Sequence, residues 1–215
     1  MLNYKSFVEN GQVHANGMGL SNINQLELPK DFISGSVRVE RNSLLTLEGC
    51  PSTIGGDLEA NSNTLMTLEG GPTFINGYCD VANNRLTNLF KSPRMIGGMF
   101  NCAGNQITSI EGCPNEIDGN FLLGFNALTS LEGIHRQFKG GYLKGTINLD
   151  FNPIQSHILG LLLIPELQGI KVSMTTSDVA ISAFAILIKH FNGDADVIDC
   201  QQELIEAGLK EFAQL

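Results

Sequence analysis

The sequence predicts a β-rich solenoid with a non-helical return side, followed by a small α+β C-terminal cap, and three features predict it. An asparagine recurs at a fixed interval through the middle of the chain. Apolar residues hold fixed offsets around each one, and prolines and glycines recur on the stretch between. Asn42, Asn63, Asn84, Asn105 and Asn126 are each 21 residues from the last, and Asn152 follows after 26. Self-similarity at a period of this size marks stacked coils, each burying its apolar face against the next.

Residues 1–33 are read as an N-terminal cap and an imperfect first repeat. "SNINQLELPKDFISG" keeps the spacing of Ile23, Leu26, Ile33 and Gly35, with Ser21 in the place of the asparagine. The solenoid is assigned to residues 34–154. Apolar residues stand five and three positions before each asparagine, as Val37 and Val39, Leu58 and Ala60, Cys79 and Val81. The series continues with Phe100 and Cys102, Phe121 and Leu123, Ile147 and Leu149. Such alternation makes a short strand with one face inward, because successive side chains point to opposite sides. The chain must then turn, and backbone groups at that corner would face the core. An asparagine side chain has both a donor and an acceptor to satisfy them. Asn42, Asn63, Asn84, Asn105, Asn126 and Asn152 are therefore expected to form a structural ladder, each removal costing about 1–3 kcal/mol.

On the return path, Pro51, Pro72, Pro93 and Pro114 with Gly56, Gly77, Gly98 and Gly119 rule out a regular helix. Extended or polyproline-like backs with tight glycine turns are expected. In the last repeat, "GIHRQFKGGYLKGT" adds five residues, replaces the proline and should bulge from the back or edge. Residues 155–215 break the pattern and are assigned to an α+β capping domain. "IQSHILGLLLIPEL" reads as a short helix, "GIKVSM" as a strand, and "SDVAISAFAILIKHF" as a helix begun by Ser177 or Asp178. The closing segment places Ile198, Ile205, Leu209 and Phe212 on one helical face.

The motif L-x-L-x-x-N-x-L resembles the leucine-rich-repeat family over residues 34–154, so the resemblance implies a leucine-rich-repeat solenoid. The return consensus L-T-S-L-E-G-x-P-x-x-I-x-G is similar to short repeats of bacterial and bacteriophage proteins. The closing "DCQQELIEAGLKEFAQL" resembles the tails of uncharacterised bacteriophage proteins that follow such repeats. The resemblance implies a phage-encoded protein acting in the cytoplasm of a bacterial cell.

Composition narrows the chemistry. Within 215 residues, 42% are hydrophobic and 16% charged, a globular balance. A net charge of −9 argues against nucleic-acid backbones as partners, since no surplus of cations exists to displace counterions. The start "MLNYKSFVENGQ" does not read as a secretory signal, and "ILGLLLIP" is too short to cross a bilayer, so no membrane partner is expected. The five cysteines form no C-x-x-C pair and read as reduced thiols. Cys79 and Cys102 fall in core columns, while Cys50 and Cys113 lie three coils apart, roughly 14 Å, beyond bridging. His14, His135, His157 and His190 share no ligand spacing, so no metal site is expected. "IGGDL" and "IGGMF" lack the G-K-[ST] of a phosphate loop, and Asp194, Asp196 and Asp199 lack a full calcium-loop pattern. No catalytic set is found, and no cofactor is implied.

What remains is surface. Outward positions of the strands should line a concave face that is polar at first and becomes apolar toward the C-terminus. Tyr78, Met99, Asn101, Leu122, Phe125 and Phe151 are the candidate partner-binding residues. Two readings of that patch stand side by side: it meets a partner, or the C-terminal segment folds over it, Phe151 above all. Glu48, Glu69, Glu111 and Glu132, with Glu27, fall in one column and would form an acidic docking edge for a basic partner. The expected function is a non-enzymatic protein-binding module, directed at a host bacterial protein if the phage resemblance holds. The alternative is a small-ligand or nucleotide-sequestering protein using a pocket between solenoid and cap, with Arg136, Lys139 and Lys144 nearby. A homo-oligomer through the apolar patch is compatible with either.

Overall fold

The computed structural model describes residues 8–9, 11–173, 177–193 and 196–215. The chain winds into a parallel β-solenoid of about eight turns. One long sheet has nine strands, opening with an antiparallel hairpin of Val8–Glu9 and Gln12–His14. Every later neighbour in it is parallel, with Cys79, Phe100, Phe121 and Ile147 in one register column. Gly169–Lys171 is its last strand, Ile170 paired with Ile147. A second sheet of six parallel two-residue strands runs up the return side, from Phe32–Ile33 to Tyr142–Leu143. The return path is thus extended, as its prolines require, and it is also laddered. At the corner back to the long sheet, coils approach so closely that a Cβ on Gly97 would stand 2.2 Å from the Asn76 carbonyl oxygen.

Between the sheets lies one continuous apolar core. Leu58, Cys79, Phe100, Phe121 and Ile147 form one fully buried column, Ile54, Ile75, Ile96 and Ile117 the facing one. Phe100 and Phe121 stack with centroids 5.3 Å apart, and the smaller Cys79 beside Phe100 keeps that column's volume in bounds.

The asparagines stitch coil to coil. Asn105 Nδ2 donates to its own strand at Cys102 O (3.0 Å) and to the previous coil at Val81 O (3.1 Å). Its Oδ1 accepts the amide of Leu86, also on the previous coil, at 3.0 Å. Asn63, Asn84, Asn126 and Asn152 repeat the arrangement. Just before each ladder asparagine the backbone is left-handed, with φ of 55° at Arg41, 56° at Ser62, 55° at Asn83, 68° at Gly104, 57° at Phe125 and 58° at Phe151.

The first coil departs from the sequence expectation. Val13 pairs with Val37, and Asn42 Oδ1 accepts from the amides of Met18 and Leu20, so Met18 and not Ser21 holds the ladder position. Alignment at a constant 21-residue step misplaced it. This coil runs three residues longer between its two strands (Val13 to Ile33) than the next (Val37 to Ile54). The surplus is taken up by a 3-10 helix, Ile23–Leu26, capped by Asn22 with Gln25 in a reciprocal box.

The insertion in the last repeat forms one helical turn, α1 (Ile134–Gln137), that buries Ile134 and Phe138. Beyond Asn152, the expected helix over residues 154–167 is only a 3-10 segment, Leu159–Leu163. Strand Gly169–Lys171 and helix α2 (Asp178–Phe191) form where the sequence placed them, and Met174 lies outside the described residues. Helix α3 (Val197–Glu206) starts at Asp196, whose carboxylate accepts the amides of Ile198 and Asp199. Its buried face is Cys200 and Leu204, while Ile198 is 74% exposed. Ile205 is exposed as well, so the predicted stripe is corrected. The helix ends at Glu206, and only after that break do Leu209 and Phe212 turn inward. Ala180, Ala183, Phe184, Leu187, Leu204 and Phe212 continue the solenoid core, and the amide of His157 donates to Glu211 O at 3.0 Å.

Candidate interaction face

The outward side of the long sheet carries columns set by register. One runs Arg38, Glu59, Asp80, Asn101, Leu122, Asn148, Lys171. Its first half is a polar network. Arg38 Nε donates to Glu59 at 2.8 Å, and its guanidinium also donates to Gln12. Tyr78 Oη donates to the same Glu59 oxygen at 2.7 Å. Burial pushes Glu59 upward, but Tyr78 and Arg38 outweigh it and hold the carboxyl below its ordinary range. Glu40 is raised by burial and by its hydrogen bond to Glu59. Asp80 is also raised, by burial and by the charge of Glu59, against the opposing amide of Ala82 and side chain of Asn101. Burial and Glu59 likewise raise the Tyr78 phenol.

The column's second half is Leu122, Asn148 and Lys171, with two aromatic residues open beside it. Leu122 is half-buried, while Phe125 and Phe151 stack at 4.1 Å, with 59% and 39% of their surfaces exposed. With Ala103, Gly124 and an ion pair of Lys171 and Asp150 (3.0 Å), they line a groove of about 380 Å³. The structure therefore brings Leu122, Phe125 and Phe151 together. Tyr78 is placed in the polar network, and Met99 and Asn101 lie half-buried between the two. Of the C-terminal segment, Lys171 and Ser173 line the groove beside Phe151, and the described residues of its helices do not cover the patch. Those helices pack on residues 159–163 and leave both phenylalanines open. Lys171 was missed as a groove residue. The strand "GIKVSM" was legible, but its place as the next rung of the column was not.

Glu48, Glu69, Glu111 and Glu132 are all exposed. Each closes a turn in which its amide donates to a hydroxyl two residues earlier, as Glu132 to Ser130 Oγ at 3.0 Å. The stripe is not continuous. Phe90, half exposed, takes the coil between Glu69 and Glu111. Glu27 falls outside it, because Gly49 lies over Asn24 where Gly70 lies over Glu48. Along the six-stranded sheet a row that the sequence reading did not pick out runs Phe32, Thr53, Phe74 and half-buried Met95, apolar except at Thr53.

Among the described residues no three His, Cys, Asp or Glu side chains are grouped to hold a metal. Asp194 lies outside them, and Asp196 is the helix cap already described. His157 Nδ1 meets Ser130 and Ser156, and His190 meets Glu203 at 2.8 Å. Burial pushes the Cys113 thiol up to about 12 and Cys200 up to about 11, and holds Cys79 and Cys102 higher still. In the insertion, Lys144 pairs with Asp118 at 2.5 Å and lies 4.3 Å over the Tyr142 ring. Among the described residues no helix is long and apolar enough to cross a membrane. No family model, no curated protein and no solved structure matches this chain.

Proposed function

We propose that this chain is a non-enzymatic protein-binding module of the leucine-rich-repeat type, with its C-terminal helices as the cap. The observation that carries the reading is the exposed Phe125–Phe151 stack beside Leu122. Large apolar groups left open on a rigid sheet gain contact area without ordering cost, which is how interface anchors work. Thiols held protonated by burial, and face carboxylates engaged with one another, favour binding over group transfer. The resemblance of the repeat and tail to phage sequences supports a host bacterial protein, met in the cytoplasm, as the target.

The test is capture from a bacterial lysate. Wild type is expected to recover one stoichiometric protein, lost with Leu122→Glu and Phe125→Asn and kept with Phe74→Glu on the opposite sheet. Recovery of nothing, or a partner insensitive to the first two changes, overturns the reading. A second reading has one specific support. A cleft of about 480 Å³ between Gln155 and the C-terminal segment is lined by Val179, Leu209 and Phe212, with Lys210 and Glu211 at its rim. That lining suits a small apolar ligand better than a nucleotide, and thermal-shift screening against both classes distinguishes them.

A further inference from the structure

The outward column next to the polar and aromatic residues narrows abruptly. Ala82, Ala103 and Gly124 succeed one another on three adjacent coils, tied by Asn83 N to Ala103 O (2.9 Å) and Gly104 N to Gly124 O (3.0 Å). Small side chains there leave a shallow trough: Ala103 and Gly124 floor the groove at Phe125, and Ala82, only 5% exposed, carries its line back toward Asp80. At about 4.8 Å per coil it is ~10 Å long, the span of about three extended residues.

Its two ends differ in charge. At the head, Glu40 and Asp80 both feel the charge of Glu59, which Arg38 already engages at 2.8 Å, and with Arg41 beside Glu40 three carboxylates face two guanidiniums. Neither Asp80 nor Glu40 has a salt bridge among the described residues. At the foot, the charge of Lys171 is matched by Asp150 at 3.0 Å, so the aromatic end carries no excess. Surplus negative charge at one end and open aromatic surface at the other define the complement. We propose that this trough receives an extended segment of a protein partner bearing a basic side chain three or four residues from a bulky apolar one. The basic group meets Asp80 and Glu40, and the apolar one packs on Phe125 and Phe151. This rests on the protein-binding reading above and specifies its partner.

The test titrates isotope-labelled full-length chain with capped Lys-Ala-Ala-Phe, following backbone amides by NMR. Glu-Ala-Ala-Phe and Lys-Ala-Ala-Ala serve as controls. Shifts are expected at Ala82, Ala103, Gly124 and Phe125, with affinity about fivefold lower for either control, the scale of one exposed charge pair for the Glu peptide and of one aromatic contact for the peptide without Phe. Asp80→Asn should reduce the preference for Lys over Glu, the Glu40→Gln, Asp80→Asn double variant should reduce it further, and both should leave the dependence on Phe. Shifts elsewhere, no shifts, or equal binding of the Glu peptide overturn the proposal. So does self-association of the free chain through the same amides, which assigns the face to a second copy. A lysate partner lost with Leu122→Glu but fully retained by the Glu40→Gln, Asp80→Asn double variant leaves the binding module standing and sinks only this assignment.

Discussion

Replacing Asn105 by alanine tests the principle that holds the coils together. The side chain makes three good hydrogen bonds, to Val81 O, to Cys102 O and from the amide of Leu86. The losses are unequal. Val81 O also accepts from Asn84 Nδ2 at 3.0 Å, and Cys102 O from Asn126 Nδ2 at 3.1 Å, so each carbonyl keeps one partner. Leu86 is fully buried, and its amide is left with nothing. An orphaned buried donor costs about 1–3 kcal/mol, and each half-lost carbonyl adds about 0.5 kcal/mol, for a total of about 2–4 kcal/mol. For a chain of this length that lowers Tm by roughly 5–15 °C. Urea denaturation gives the total, and hydrogen exchange gives its origin, because protection should fall most at Leu86. Asn105→Asp keeps an acceptor for Leu86 but loses both donors and buries a charge, so it should be no better. A change below about 0.5 kcal/mol, or undiminished protection at Leu86, refutes the reasoning.

Four further outcomes follow from the same geometry. Gly97→Ala should cost about 2–3 kcal/mol in urea denaturation, since its Cβ would meet the Asn76 carbonyl, a backbone atom that cannot swing aside. Native protein should react slowly with a thiol reagent and fully only after unfolding, because burial raises all five thiols, Cys50 to about 12. Asp80→Asn should raise Tm at neutral pH. The carboxyl is raised above its ordinary 3.8 in the folded chain, so ionisation opposes folding, and wild type should gain on the variant as pH falls through the folded value toward 3.8. Phe125→Asn should shift stability by no more than about 1 kcal/mol, because relief of a left-handed aromatic residue offsets a lost stack of about 0.5–1.5 kcal/mol.

The solenoid was legible because each coil solves the same problem with the same residues. Strand alternation, the ladder asparagine and the turn glycines all follow from local sterics and hydrogen-bond supply, which a periodic sequence displays openly. The failures lie where the period breaks. Met18 holds a ladder position without an asparagine, and only the pairing of Val13 with Val37 reveals it. Ile198 and Ile205 share a helical face with Leu209 only if the helix continues past Glu206, and it does not. Lys171 joined the groove through a parallel pairing with Asn148 that no short-range pattern encodes.

The position before the ladder asparagine separates folding from function most cleanly. Every coil needs a left-handed residue there, and Ser62, Asn83 and Gly104 meet that need at little cost. A bulky aromatic residue in that conformation is strained by about 1–2 kcal/mol relative to glycine. Phe125 and Phe151 accept the strain on consecutive coils, and they face solvent rather than the core. Their mutual stack recovers only part of it, about 0.5–1.5 kcal/mol shared between two residues. Folding alone would favour asparagine or glycine at both sites. On the binding reading proposed above, a contact made outside the chain would offset the remaining cost, so the aromatic end of the face is to be tested before the interrupted acidic edge.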